Sequence, residues 1–154
     1  MAEKLLAIDG SGEVGWAILI AGQPPRFGTL NLKKMSDLGR QMGAYMQFLK
    51  DLHSIEHFDG IAWEGPILLK RDVVDTLKLL YGLVGISYGF AGVHGLPHCE
   101  VTHQQAKGTL TGDHQADKTA MFRAADVVMK WKVKNHHEAD AGAVGLVAYE
   151  TLWP

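Results

Sequence analysis

The chain has 154 residues, 47% hydrophobic and 21% charged, which predicts one folded domain over 1–154 and excludes wholesale disorder. A single cysteine, Cys99, excludes an intrachain disulfide framework. The formal net charge is −2, yet residues 65–134 carry nine basic against six acidic side chains, so a phosphate partner would meet the middle of the chain. Two charges precede a short apolar run that ends in Asp9, a pattern without secretory or transit character. No run of residues is expected to span a membrane, because Val73 to Val93 carries Asp75 and Lys78. The expected setting is a reducing cytoplasm.

In chain order, Leu5 to Ile8 reads as a strand that runs into the turn cluster Asp9-Gly10-Ser11-Gly12. Val14 to Ile20 follows closely enough for an antiparallel hairpin, and Phe27 to Leu32 completes a three-strand meander. Ser36 is the expected cap of a helix whose apolar face is Leu38, Met42, Tyr45, Leu49 and Leu52. Ile61 to Trp63 is a short buried strand ending at Glu64-Gly65-Pro66, and Val73 to Tyr88 a second helix. A strand near Cys99 to Val101, a short helix capped by Thr102, a helix over Lys118 to Trp131 and a last helix over Glu138 to Leu152 complete the chain. A meander followed by alternating strands and helices predicts an α/β fold, a mixed sheet with helices on its faces.

Three carboxylates stand out by position. Asp9 ends the first strand, Glu64 ends the fourth, and Asp140 lies in the first turn of the last helix, three residues after His137. In open α/β sheets, sites form where strand ends meet helix ends. Two carboxylates about 4 Å apart repel by roughly 4 kcal/mol at an effective dielectric near 20. Such a cluster persists when a proton or a cation relieves it. Hard oxygen ligands suit Mg²⁺ or Mn²⁺, and two such ions clamp a phosphodiester for in-line attack by water. Each residue alone also has an ordinary structural explanation: a turn former at Asp9, a solvated carboxylate at Glu64, a dipole-favoured acid at Asp140.

The motifs sharpen this. Leu6-Ala-Ile-Asp9-Gly-Ser-Gly-Glu-Val-Gly15-Trp16-Ala17 resembles the opening "IDPGxxxxGWA" of RuvC-type Holliday junction resolvases, in the RNase H-like superfamily. Ile61-Ala-Trp-Glu64-Gly-Pro66 resembles that family's second acidic motif. Gln105-Ala-Lys107 through Ala116-Asp117-Lys118 is similar to its "VKxxxxGxGxADK" segment, and His136-His137-Glu-Ala139-Asp140-Ala141 to its closing "(D/H)xADA". The resemblance runs from position 5 to 141 and implies an RNase H-like fold with a five-stranded mixed sheet. It makes Asp9, Glu64, His137 and Asp140 the ligands of two Mg²⁺ ions, replaceable by Mn²⁺, and sets Lys107 and Lys118 beside the scissile phosphate. It implies a homodimer that cuts branched DNA at paired positions, leaving a 5′-phosphate and a 3′-hydroxyl, in a bacterial cell or encoded by a phage. The rivals are an RNase H-like nuclease acting on RNA or another nucleic-acid structure, a junction binder without catalysis, and an actin-like phosphotransferase, whose two lobes need about twice this length.

The chain departs from the pattern in places. His137 stands where many members carry Asp; the adjacent Glu138 points about 100° away around a helix. Ile67 and Leu68 stand where the resemblance predicts an aromatic wedge. Lys70 and Arg71, and Lys130 and Lys132 around Trp131, are further candidate DNA contacts, although a solvated helix end also explains the second pair. His94, His98, Cys99 and His103 mimic zinc-ligand spacing, but His98 and Cys99 on one strand face opposite ways, so loop histidines and a buried thiol are expected. Gly82, Gly85, Gly89, Gly92 and Gly95 recur at helical spacing, which predicts close packing on the sheet or a subunit interface.

Overall fold

The computed structural model describes residues 2–67 and 73–154. Five strands form one sheet in the order β3-β2-β1-β4-β5: β1 Lys4–Asp9, β2 Glu13–Ile20, β3 Arg26–Asn31, β4 Gly60–Glu64 and β5 His98–Val101. The pairs β1/β2 and β2/β3 are antiparallel, and β1/β4 and β4/β5 are parallel. The helices are α1 Leu38–Glu56, α2 Val74–His94, α3 His103–Thr111, α4 Lys118–Arg123 and α5 His136–Leu152. The expected mixed five-stranded sheet with helices around it is what forms.

Side chains alternate across a strand, and here both faces are buried. Leu5, Ala7, Ala17, Leu19, Ala62 and Val101 face α3, α4 and α5. Leu6, Ile8, Val14, Ile18, Ile61 and Trp63 face α1 and α2. The first face is rich in alanine, and α5 answers with Ala139, Ala141, Ala143 and Ala148, so this helix lies close on the sheet. A Cβ added at Gly15 would stand 2.1 Å from the His137 carbonyl oxygen, so β2 and the first turn of α5 meet backbone to backbone.

Several local expectations are corrected. The cap of α1 is Asp37, whose Oδ1 accepts from the Arg40 N–H at 2.8 Å, not Ser36. The helix beginning at Lys118 gives way at Ala124–Val128 to a π-helical turn, so Lys130 to Lys134 forms an irregular connection with Lys130 in the left-handed region (φ 55°). Close packing explains only the first of the glycines in α2: Gly82 meets Met42, while a Cβ at Gly85, Gly89 or Gly92 would meet nothing within 4 Å. By length and composition α2 is also apolar enough to cross a bilayer, against the sequence expectation; its Leu79, Leu83, Ser87, Phe90 and Ala91 face is nevertheless buried in the core.

Candidate active site

The strand registers assemble the site. Ile8 pairs with Trp63 across the parallel β1/β4 pair, so Asp9 and Glu64 stand side by side one residue further on. Alternation aims both at the face shared by Ala7 and Ala62, which is the face α5 covers. Asp9 also pairs with Gly15 across β1/β2, and the missing side chain of Gly15 admits the first turn of α5. His137 thereby reaches Asp9: its Nδ1 lies 3.4 Å from Oδ2, and its Nε2 lies 3.3 Å from Glu13 Oε2. Asp140, one turn along, shares that helix face.

The electrostatics follow from burial and like charge. Burial, then the charges of Asp9 and Glu64, hold the Asp140 carboxyl up at about 7. Burial also raises Glu64, with Asp9 acting the same way; a hydrogen bond from His103 and the charges of His103 and Lys107 oppose the rise. His137 is raised first by its hydrogen bond to Asp9, then by the charges of Asp9, Glu13 and Asp140, against burial. Its neighbour His136 is lowered by burial and by the charges of His137 and Lys118.

This donor set fits a hard divalent cation in its chemistry: Asp140 and Glu64, both raised by burial and then by neighbouring negative charge, stand with Asp9 as oxygen donors that positive charge would relieve. Among the described residues no three His, Cys, Asp or Glu side chains form a finished metal cage. Mg²⁺ seldom needs one, because it binds through one or two carboxylates and completes its shell with water and substrate phosphate. The residues that would hold it are Asp9, Glu64 and Asp140, with His137 beside them.

No family model matches the sequence, and no curated protein matches it. Solved structures do. Thermus thermophilus RuvC superposes with a TM-score of 0.71 at 18% identity, covering 93% of this chain and 91% of that one. T. thermophilus RuvC in complex with Holliday junction substrate gives 0.77 at 15% identity, covering 98% and 94%. The yeast mitochondrial Holliday junction resolvase Ydc2 gives 0.66 at 13% identity, covering 93% and 76%. The chain has the RuvC fold.

On that RuvC frame the predicted residues can be located one by one. Asp9, Glu64 and Lys118 line one cleft of about 520 Å³ with Ser11, Lys33 and Ile67. Lys118 thus shares the cleft with two of the carboxylates, and Lys107 on α3 acts on Glu64 through its charge. Lys130 and Lys132 are exposed on the connection before α5. Lys70, Arg71 and Leu68 lie outside the described residues, whereas Ile67 is 42% exposed at the cleft. Glu138 does point away, as helical geometry predicts. It is buried, with Oε2 accepting from Thr29 Oγ1 at 2.9 Å and Oε1 from the Lys134 N–H at 3.1 Å.

Two neighbours of the site escaped the sequence reading. Glu13 meets the far nitrogen of His137, and its place two residues after Ser11 in the first turn was the available signal. His103 meets Glu64, with Nδ1 2.9 Å from Oε1. The zinc-like run drew attention to His103 but not to this partner, 39 residues away. In the structure His98 is exposed and stacks on Trp63, and Cys99 is half-buried behind it, so the run divides as alternation predicts.

Proposed function

We propose that this chain is a metal-dependent endonuclease that resolves four-way DNA junctions as a homodimer. The observation that carries the reading is the meeting of Asp9 and Glu64, at the ends of β1 and β4, with Asp140 in the second turn of α5, on a RuvC fold. Two bound Mg²⁺ ions would supply Lewis-acid polarisation and an ionised water; Mn²⁺ would serve in their place. The chain's own part is positioning. Asp9 and Glu64, fixed at paired strand ends, set the spacing of the acidic floor of the cleft. Lys107 and Lys118 offset the charge that develops on phosphorus oxygens during transfer. His137 supplies a neutral nitrogen once its proton is displaced. Hydrolysis with this set leaves a 5′-phosphate and a 3′-hydroxyl.

The dimer reading rests on α2. Tyr81, Gly85, Tyr88, Gly89, Gly92 and Val93 form one exposed stripe, with Val93 84% exposed. The bare glycines there let a second α2 approach closely, and a two-fold protein matches a two-fold four-way junction. Cleavage of a synthetic four-way junction in Mg²⁺, beside linear duplex, hairpin RNA and RNA–DNA hybrid, tests the whole reading. Preferential, symmetric nicking of the junction is expected. Preference for either RNA substrate would favour a processing nuclease, and tight junction binding without cutting would favour a binder.

A further inference from the structure

His103 has no part in the phosphate-handling set above, yet its ring is committed to that set. It is the first residue of α3, and the helix end around it is already closed: the Gln105 N–H donates to Thr102 Oγ1 at 3.1 Å, and the Thr102 N–H donates to Gln105 Oε1 at 2.9 Å. The ring is therefore not needed as a cap. Its partner Glu64 is equally fixed. Glu64 pairs with Val101 across β4/β5, and the Gly65 N–H donates to the Val101 carbonyl at 2.9 Å. Two short tethers, Gly65 to Val101 and Thr102 to His103, bring the imidazole and the carboxylate together. The His103 side chain keeps 36% exposure, while that of Glu64 keeps 12%. Lys107 lies one helical turn beyond His103, so one face of α3 presents both groups that pull on Glu64.

We propose that His103 is a positioning residue for Glu64: its Nδ1–H holds Oε1 and leaves Oε2 free to face Asp9 and Asp140. This rests on the reading of Glu64 as a cation ligand. A glutamate has three rotatable bonds to fix, and a rigid donor on a capped helix fixes them before any cation arrives. Partners that orient ligating carboxylates govern affinity as well as geometry, and their loss typically weakens metal binding by about 10- to 100-fold. The pairing also selects the ring tautomer, because a neutral imidazole donating from Nδ1 has its remaining lone pair on Nε2.

The test compares His103→Asn, His103→Gln and His103→Leu. Asn places its amide nitrogen near the position of Nδ1, Gln near that of Nε2, and Leu offers no donor. Mn²⁺ binding to the metal-free chain is measured by calorimetry, with thermal melts as the check on folding. Leu and Gln are expected to weaken Mn²⁺ by about tenfold or more, and Asn to stay within about threefold of wild type. A purely structural role would follow the melting temperatures instead of the donor position. In ring-nitrogen NMR spectra of the neutral imidazole, His103 is expected to carry its proton on Nδ1 and to move it to Nε2 in Glu64→Ala. Wild-type Mn²⁺ affinity in a folded His103→Leu or His103→Gln, or no rescue by Asn, overturns the proposal; so does a ring protonated on Nε2 in the wild type. A wild-type chain that shows the tautomer switch but binds no Mn²⁺ supports the pairing and overturns the cation reading of the site.

Discussion

Asp140 is buried beside two other carboxylates, and its carboxyl keeps its proton up to about pH 7. The folded chain therefore binds more protons here than the unfolded chain between about pH 4 and 7, and stability falls as pH rises through that window. Asp140→Asn should make the metal-free protein more stable at pH 8, by at most about 4 kcal/mol, with the gain shrinking toward pH 4. Saturating Mg²⁺ should reverse the order, because a cation stabilises only the chain that binds it. Melting temperatures at pH 5 and 8, with and without Mg²⁺, check both signs. His137 adds to the same trend: its raised pKa gives stability that is complete below about pH 6.5 and lost as pH rises through the folded value. Cation binding must displace that proton, so His137→Asp should extend cutting to lower pH and His137→Ala should lose most of it. Rates across pH 5.5 to 8.5 at several metal concentrations decide. Normal cutting by His137→Ala would move the ligand role elsewhere.

At the scale of elements, the site depends on how closely α5 lies on β2. Gly15→Ala would drive a Cβ into the His137 carbonyl, backbone against backbone, so strand or helix must shift. A loss of about 3 kcal/mol in urea unfolding is expected, with cutting lost even where the variant stays folded. Glu138 marks the other side of the same turn. Replacing it by Ala leaves Thr29 and the Lys134 N–H without their acceptor and should cost about 2 kcal/mol, so Glu138 secures the start of α5 although it points away from the carboxylates. Much of this frame was legible beforehand. The apolar runs at Leu5, Val14, Phe27 and Ile61, the turns between them and the Thr102 cap are local signals, and they placed β1 to β4 and the first residue of α3, with β5 read near Cys99 to Val101. Asp9, Glu64, His137 and Asp140 were legible because four motifs gave them an order. The His103–Glu64 pair was not, because it depends on the parallel β4/β5 register, which no local pattern encodes. The π turn after Arg123 was hidden for a similar reason: helical periodicity continues through Ala124, Ala125 and Val128 while the hydrogen bonding changes.

At the scale of the whole molecule, the exposed stripe of α2 is the surface on which the proposed dimer would close. A Cβ at Gly89 would meet no atom within 4 Å in the single chain, so Gly89→Arg should leave the fold intact while a close α2–α2 contact cannot form. Sedimentation should show a dimer for the wild type and a monomer for the variant, with paired nicking lost; a wild type that stays monomeric with and without junction DNA would refute the dimer. Vesicle flotation of the wild type separates this from a lipid-facing α2. The central claim is that the Asp9, Glu64 and Asp140 cluster cuts junctions. Its most direct measurement is Mg²⁺-dependent cleavage of a synthetic four-way junction by the wild type and by Glu64→Gln, with binding followed in parallel. The wild type should nick two symmetry-related positions, and the variant should bind as well or better but cut at less than about a tenth of the rate, a barrier rise above roughly 1.4 kcal/mol. Equal cutting by the two proteins, or no preference of the wild type for the junction over linear duplex, would contradict it.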